Sequence, residues 1–214
     1  MSRRKTLILL FNIFVKINNI VTKKDQTEDI IKETAKRIFF KEGRFNATTQ
    51  EIADAAGVNR TLINYYFRSR NNLFTIVFEE ARKIDEIRSK SIMLSDANFK
   101  DKIANFIEMS LEMNIEYPYL ESYIVSQMNQ GFCYRRENIK EDSAQFFTDV
   151  EEAMSKGLIE KMEPIQFLLN MISLVNFPMA MRPLIQDNLQ ISDQEYKRIL
   201  RERKDIILKT LFKN

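Results

Sequence analysis

Residues 47–70 read ATTQEIADAAGVNRTLINYYFRSR, and their interpretation decides the fold. Thr48 followed three residues later by Glu51 has the spacing of a capping box, so a helix should start at Thr49. Ile52, Ala53 and Ala56 then give it a small apolar face. Gly57 ends it, because the turn there needs a residue that tolerates positive φ. Asn59 is placed to cap a second helix whose inward residues would be Ile63, Tyr66 and Phe67. Two short helices, about 49–56 and 60–66, joined by a glycine turn and closely packed through Ala53, spell a helix-turn-helix.

Working outward, Ile31, Ala35, Ile38 and Phe39 recur at helical spacing between lysines and glutamates. Asp25, Glu28 and Asp29 sit where a helix N-terminus favours acids, and Gly43 suits the position just past its end. This predicts a first helix at about 26–42. Ser69 is a cap for a fourth helix from near Arg70, with Leu73, Phe74, Val77 and Phe78 inward. The outward side of residues 58–70 holds Arg60, Arg68 and Arg70 and no acid.

The chain as a whole agrees with an all-α fold. It has 214 residues with only four glycines and four prolines, too few turn residues for a sheet-rich protein. Residues 1–74 hold 14 Lys+Arg against 7 Asp+Glu, a balance of +7, whereas residues 75–214 hold 19 against 23, a balance of −4. The basic excess is therefore N-terminal, as for a polyanion-binding end. Histidine is absent and there is one cysteine, Cys133. That excludes Ser–His and Cys–His nucleophile designs and an internal disulfide, and it fits a reducing cytoplasm. No phosphate-cradling glycine loop occurs, and no metal or cofactor is expected.

The first 22 residues stand apart. Their basic start and apolar run, Thr6 to Val15, resemble a signal peptide, but no small-x-small cleavage site follows. The run is also shorter than the roughly 20 apolar residues that span a bilayer. The segment reads as sequence upstream of the natural start, with an extra helix and a membrane-associating segment as the alternatives.

The stretch 35–74, AKRIFFKEGRFNATTQEIADAAGVNRTLINYYFRSRNNLF, resembles the N-terminal domain of the TetR (tetracycline repressor-like) family of transcriptional regulators. The carrying residues are Phe39 with Gly43, Thr48-Thr49, Ile52-Ala53, Ala56-Gly57-Val58, Tyr65-Tyr66-Phe67, Ser69-Arg70 and Leu73. The resemblance covers residues 25–85. It implies a homodimer that places one helix per subunit in successive major grooves, about 34 Å apart, on an inverted-repeat DNA operator. Gln50, Arg60, Thr61 and Asn64 fall where the family often reads bases. Arg60 would pair with guanine O6 and N7, and Asn64 would contact adenine. Thr49, Tyr65, Tyr66 and Arg70 fall where the family usually holds phosphates, and Lys23 and Lys24 precede the first helix as an arm. Leu62 stands where the family often has Thr, and Asn64 where it often has Tyr. Phe67 reads as core, and Tyr66 as core or half-core.

The organisation expected is an unassigned segment 1–22, a helix-turn-helix DNA-binding domain 23–85 with its motif at 48–67, and a larger helical effector-binding and dimerisation domain 86–214. In the last of these, helices open at Asp96 and near Pro118, run over about 138–156, and restart at Pro164 with the apolar FLLNMISLVNF. An apolar-all-round helix should be buried on several sides. Pro178 and Pro183 should break the chain before a final helix, SDQEYKRILRERKDIILKTLF. The resemblance gives the last two long helices the dimer interface and places an effector pocket among the others. Met109, Met113, Tyr117, Tyr123, Met128, Phe146, Phe147 and Phe177 are its candidates, with ordinary core as the competing reading of the same residues. The function expected is a cytoplasmic repressor, not an enzyme, released from DNA by an unidentified small molecule. A membrane-associated helical interaction protein and a cofactor-dependent enzyme are the alternatives.

Overall fold

The computed structural model describes residues 26–129 and 139–213, without the side chains of Met128 and residues 139–142. The segment 1–22, Lys23, Lys24, Cys133 and the Met128 side chain lie outside the described residues. Every regular element described is helical. Helix α1 covers residues 26–36 and ends in one π turn, Arg37–Lys41. It is followed by α2 (Thr49–Ala56), α3 (Arg60–Phe67), α4 (Arg70–Met93), α5 (Phe99–Glu116) and α6 (Leu120–Asn129). Then come α7 (Ile139–Ser155), α8 (Pro164–Ala180), α9 (Arg182–Leu189) and α10 (Asp193–Leu211). The described residues form two compact units, one of those up to Phe39 with Arg44–Glu80, the other of Phe40–Gly43 with those from Ala81 onward. Helix α4 contributes its residues up to Glu80 to the first and the rest to the second.

Local signals set the first unit. Thr48 Oγ1 accepts from the Glu51 N–H at 3.2 Å, and the Glu51 carboxylate accepts from the Thr48 N–H at 2.8 Å, so the predicted capping box is present. Gly57 has φ +66°, and the following Val58 N–H donates back to Ala53 O at 3.0 Å. A Cβ on Gly57 would meet nothing within 4 Å, so the requirement for glycine is one of backbone conformation and not of space. Asn59 caps α3 by accepting from the Thr61 N–H at 2.9 Å. Ser69 Oγ accepts from the Asn72 N–H at 3.1 Å and starts α4. Ile31, Ala35, Ile38, Phe39, Ile52, Ala53, Ile63, Phe67, Leu73 and Val77 are buried and make the core.

In the second unit α10 packs on α5 and α8, and α7 and α6 pack on α8. The core joins Ile103, Ile107 and Leu111 of α5 to Val150 of α7, Phe167, Met171 and Val175 of α8, and Ile207 of α10. Asn98, not Asp96, caps α5, with its side-chain oxygen accepting from Asp101 N–H at 3.0 Å.

The chain breaks at Met181, beside Pro183, as the sequence suggests, but not at Pro178. Pro178 lies inside α8, and Pro183 lies in the first turn of a separate helix, α9. A proline has no N–H, so Pro178 leaves the carbonyl of Leu174, four residues earlier, without its helical donor. The Arg203 guanidinium of α10 fills that place, with Nη2 donating to Leu174 O at 2.8 Å. The Tyr196 hydroxyl, also of α10, donates to the Pro178 carbonyl. Two side chains of α10 thus complete the hydrogen bonding of α8 around its proline. Beside them the buried Arg182 donates to Gln186 at 2.9 Å, pairs with Asp193, and lies over the Tyr196 ring at 5.9 Å.

Burial of α8 is also one-sided within this chain. Ile165 and Leu169 are 42% and 49% exposed, and Phe177 is 60% exposed. An apolar groove of about 400 Å³ runs between α8, α9 and α10, lined by Phe177, Leu189, Ile191, Ile199 and Leu200.

Candidate nucleic-acid interface and effector cavity

Helix α3 divides into two faces. Ile63 and Phe67 are 0% and 1% exposed and anchor it, with Tyr66 half-buried beside them. Arg60, Thr61, Asn64 and Tyr65 are exposed on the other side, and Tyr65 is 68% exposed. The Tyr65 ring meets the Tyr66 ring edge-on at 5.1 Å, which stiffens two large side chains against one another. No acid lies within α3.

Several of these groups already have intramolecular partners. The Thr61 hydroxyl donates to Asn59 Oδ1 at 2.8 Å, and the Gln50 amide donates to Asp54 at 2.7 Å. Thr49 is half-buried as the first residue of α2. Arg70 is half-buried: Nε donates to Ala47 O at 3.2 Å, and its guanidinium lies 5.0 Å from the Phe39 ring and 5.4 Å from Phe74. It ties the start of α4 to α1 and to the segment before α2, a structural task the sequence does not reveal. Glu51 is the one acid in the first turn of α2. Hydrogen bonds from the Thr48 N–H and hydroxyl hold its carboxyl below the usual carboxylate range, and Arg44 pairs with it as well. Its charge is thereby offset beside the face that carries the arginines.

Arg68 is not among the contact residues expected from sequence, yet it stands at the α3–α4 junction with φ +63°. A non-glycine residue in so sparsely populated a conformation costs on the order of 1–3 kcal/mol. The strain is held by Arg68 N–H to Asn64 O at 2.9 Å and by the Asn72 amide on Phe67 O at 3.0 Å. Arg68 is exposed there, close to Tyr65 in a sequence pattern of cations and aromatics.

The model for bacterial regulatory proteins of the tetR family matches residues 31–76, the region just described. The chain carries a TetR-family DNA-binding domain. Solved structures extend the TetR likeness over nearly the full length. The ketosteroid transcriptional regulator KstR2 of Mycobacterium tuberculosis superposes with a TM-score of 0.62 at 15% identity, over 87% of this chain and 95% of that one. The TetR-family regulator PfmR of Thermus thermophilus gives 0.56 at 15% identity, over 87% and 97%. A TetR/AcrR-family regulator of Thermobifida fusca gives 0.56 at 13% identity, over 86% and 97%. At these identities the likeness is one of fold: a helix-turn-helix domain followed by a larger helical one. No curated protein matches the chain in sequence.

The second unit contains a cavity of about 540 Å³, within the range of small-molecule sites. Its apolar wall includes Met93, Phe106, Met113, Phe146, Met171 and Val175. Of the pocket residues expected from sequence, Met113 and Phe146 line it. Met109, Tyr117, Tyr123 and Phe147 do not, and Phe177 lies on the groove between α8, α9 and α10. The cavity also has a polar group that the sequence reading missed: Arg82 and Asp85 of α4, Glu121 of α6 and Asn176 of α8. Asn176 donates to Glu121 Oε1 at 3.1 Å. Burial pushes the Glu121 carboxyl up, and Asp85 adds to the shift, while Arg82 and the Asn176 hydrogen bond work against it. A signal was available for one of them: Asp85 lies four residues after the buried Ala81, on the same face of α4.

Proposed function

We propose that the protein is a cytoplasmic transcriptional repressor, not an enzyme. It binds an inverted-repeat operator as a homodimer and leaves it when a small molecule fills the cavity in its second unit. The observation that carries the reading is the outward face of α3, where Arg60, Thr61, Asn64 and Tyr65 stand exposed on a helix without acids. A carboxylate there would repel the phosphate backbone the helix must approach. Arg60 reads guanine, Asn64 reads adenine, and Thr49, Tyr65, Tyr66 and Arg68 hold phosphates. Thr61 and Gln50 contact bases by exchanging their present partners, Asn59 and Asp54, for base edges. Arg70 keeps its place over Phe39 and Phe74 and orients α4.

The dimer forms through α8 and α10. The exposed Ile165, Leu169, Ile172 and Phe177 of α8 and Ile206 of α10 supply the apolar surface, of a kind that marks interaction sites on soluble proteins. Helix α4 carries the signal, since it runs without interruption from Arg70 to Met93 and lines the cavity with Arg82, Asp85 and Met93. The effector acts by its difference in affinity for the two states of the dimer.

Footprinting on the intergenic DNA beside the protein's own gene tests the reading. A protected inverted repeat, lost as salt is raised, is expected. Arg60→Ala should cost about 1–3 kcal/mol in operator binding and relax base choice at one position in each half-site. Unchanged affinity and selectivity in that variant would remove Arg60 from base reading, and absence of any protected site would remove the regulator.

A further inference from the structure

The buried stripe of α5 contains a polar residue. Ile103, Ile107, Leu111 and Asn114 face inward, and Asn114 is 8% exposed. Its side chain lines the cavity of the second unit, and its amide has no hydrogen-bond partner among the described residues. An unpaired buried amide is costly, and buried polar groups in folded proteins are almost always hydrogen-bonded. Asparagine is also a poorer helix former than the leucine that would suit this stripe. Neither packing nor helix propensity accounts for it, which leaves a partner from outside the chain.

Ser110 lies one turn earlier on the same face of α5. It lines the same cavity, and its hydroxyl also has no hydrogen bond among the described residues. The ionisable groups on the wall are engaged elsewhere. Glu121 accepts from Asn176 at 3.1 Å, Glu86 pairs with Lys83, and Arg82, Asp85 and Lys90 each interact within the chain. Asn114 is the buried polar residue of the described wall, and it is open.

An amide dictates its own complement. Nδ2 donates and Oδ1 accepts, so only a ligand group with both a donor and an acceptor satisfies Asn114 in full. A second amide does so through two parallel hydrogen bonds, with the Ser110 hydroxyl beside it for a remaining donor or acceptor. A carboxylate or a ketone only accepts and leaves Oδ1 unpaired. Phe106, one turn before Ser110, faces the same space together with Phe146, Met171 and Val175, and these receive an apolar body.

We infer that the effector is an uncharged amphipathic amide whose head pairs with Asn114 beside Ser110 and whose apolar body lies against Phe106 and Phe146. The inference rests on the reading of this cavity as the effector site. Asn114 selects the head group, and the unbranched Met113 and Met171 adjust to the outline of the body.

Calorimetric titration of the full chain without DNA tests it with octanamide, 2-nonanone and octanoate. The three share a heptyl carbonyl and differ in the amino, methyl or oxyanion group beside it. Octanamide should bind at least tenfold more tightly than the other two, because each of them leaves a buried polar group unpaired. Asn114→Leu should shrink that advantage at least fivefold while changing 2-nonanone binding by less than threefold. Should that variant not fold, Asn114→Ala is read by the same ratio. Octanoate or 2-nonanone binding as tightly as octanamide overturns the inference, as does binding by none of the three or an unchanged ratio in a folded variant. A gel shift on the footprinted operator separates the two readings. Octanamide binding without DNA release keeps the ligand class and removes the effector role, whereas release by octanoate or 2-nonanone but not octanamide keeps the effector role and removes the amide.

Discussion

Replacing Arg203 by methionine tests the account of the proline in α8. The substitution keeps a long apolar stem and removes the donor to Leu174 O, now met by Nη2 at 2.8 Å. Leaving a buried carbonyl without a partner costs about 1–3 kcal/mol, and this one is part-buried, so that range is an upper bound. One term opposes this: Arg203 Nε is buried with no partner among the described residues, and the substitution removes that liability. The net cost should therefore fall at the lower end, about 1–2 kcal/mol. For a chain of this size that lowers Tm by about 2–8 °C, at roughly 2–4 °C per kcal/mol. The decisive measurement repeats Arg203→Met in a Pro178→Ala background, at one protein concentration, by thermal unfolding followed at 222 nm. The alanine restores the N–H that Leu174 O lacks, so Arg203→Met should there cost close to nothing, or stabilise slightly. An equal loss of Tm in both backgrounds would refute the reasoning, because Arg203 would then act through packing and not through the orphaned carbonyl.

Gly57→Ala should destabilise by about 1–2 kcal/mol, the cost of a Cβ at φ +66°, although that Cβ has open space; unfolding by urea measures it. Thr48→Ala removes the cap of α2 and should cost about 1 kcal/mol, and it should return the Glu51 pKa toward its ordinary value in an NMR titration. Because the folded-state pKa of Glu51 is lowered, its contribution is present above the unfolded value of about 4.3 and is lost as pH falls through the folded value. Stability should therefore decline over that acid window in wild type and less so in Thr48→Ala, which keeps the backbone N–H at position 48 and Arg44 as partners of Glu51. Phe177→Glu with Leu169→Lys places charge on the exposed face of α8 and should shift the molar mass in light scattering from dimer to monomer. A persistent dimer would put the interface elsewhere.

The first unit is legible in the sequence because its signals are local. Thr48 and Glu51, Gly57, Asn59 and Ser69 each act within a few residues, and the structure places α2 and α3 within a residue of their expected bounds. Where a partner comes from far along the chain, the reading fails. Pro178 breaks no helix because Arg203 and Tyr196, 29 and 18 residues from their acceptors, complete the hydrogen bonding. The cavity wall is misread from sequence for a related reason. Helical spacing shows that Phe146 and Phe147 are both on α7, but the rotation that turns Phe146 and not Phe147 onto the cavity is set by packing against α8. Arg70 has contacts that no local signal announces. Its charge and family position suggest phosphate, while its stem and guanidinium are committed to Phe39, Phe74 and Ala47.

The proline of α8 also gives synthesis a direction. Pro178 emerges before either side chain that completes its helix, Tyr196 first and Arg203 later. At about 5–20 residues per second, the ribosome needs roughly 1 to 5 s to add the intervening chain. Through that interval the Leu174 carbonyl faces water, and the last turns of α8 lack the contacts that hold them. Helix α10 therefore completes α8 only after α8 has been made, and chains ending just before Arg203 and released from the ribosome should be cleaved by protease near Pro178, while those that include residue 211 should resist.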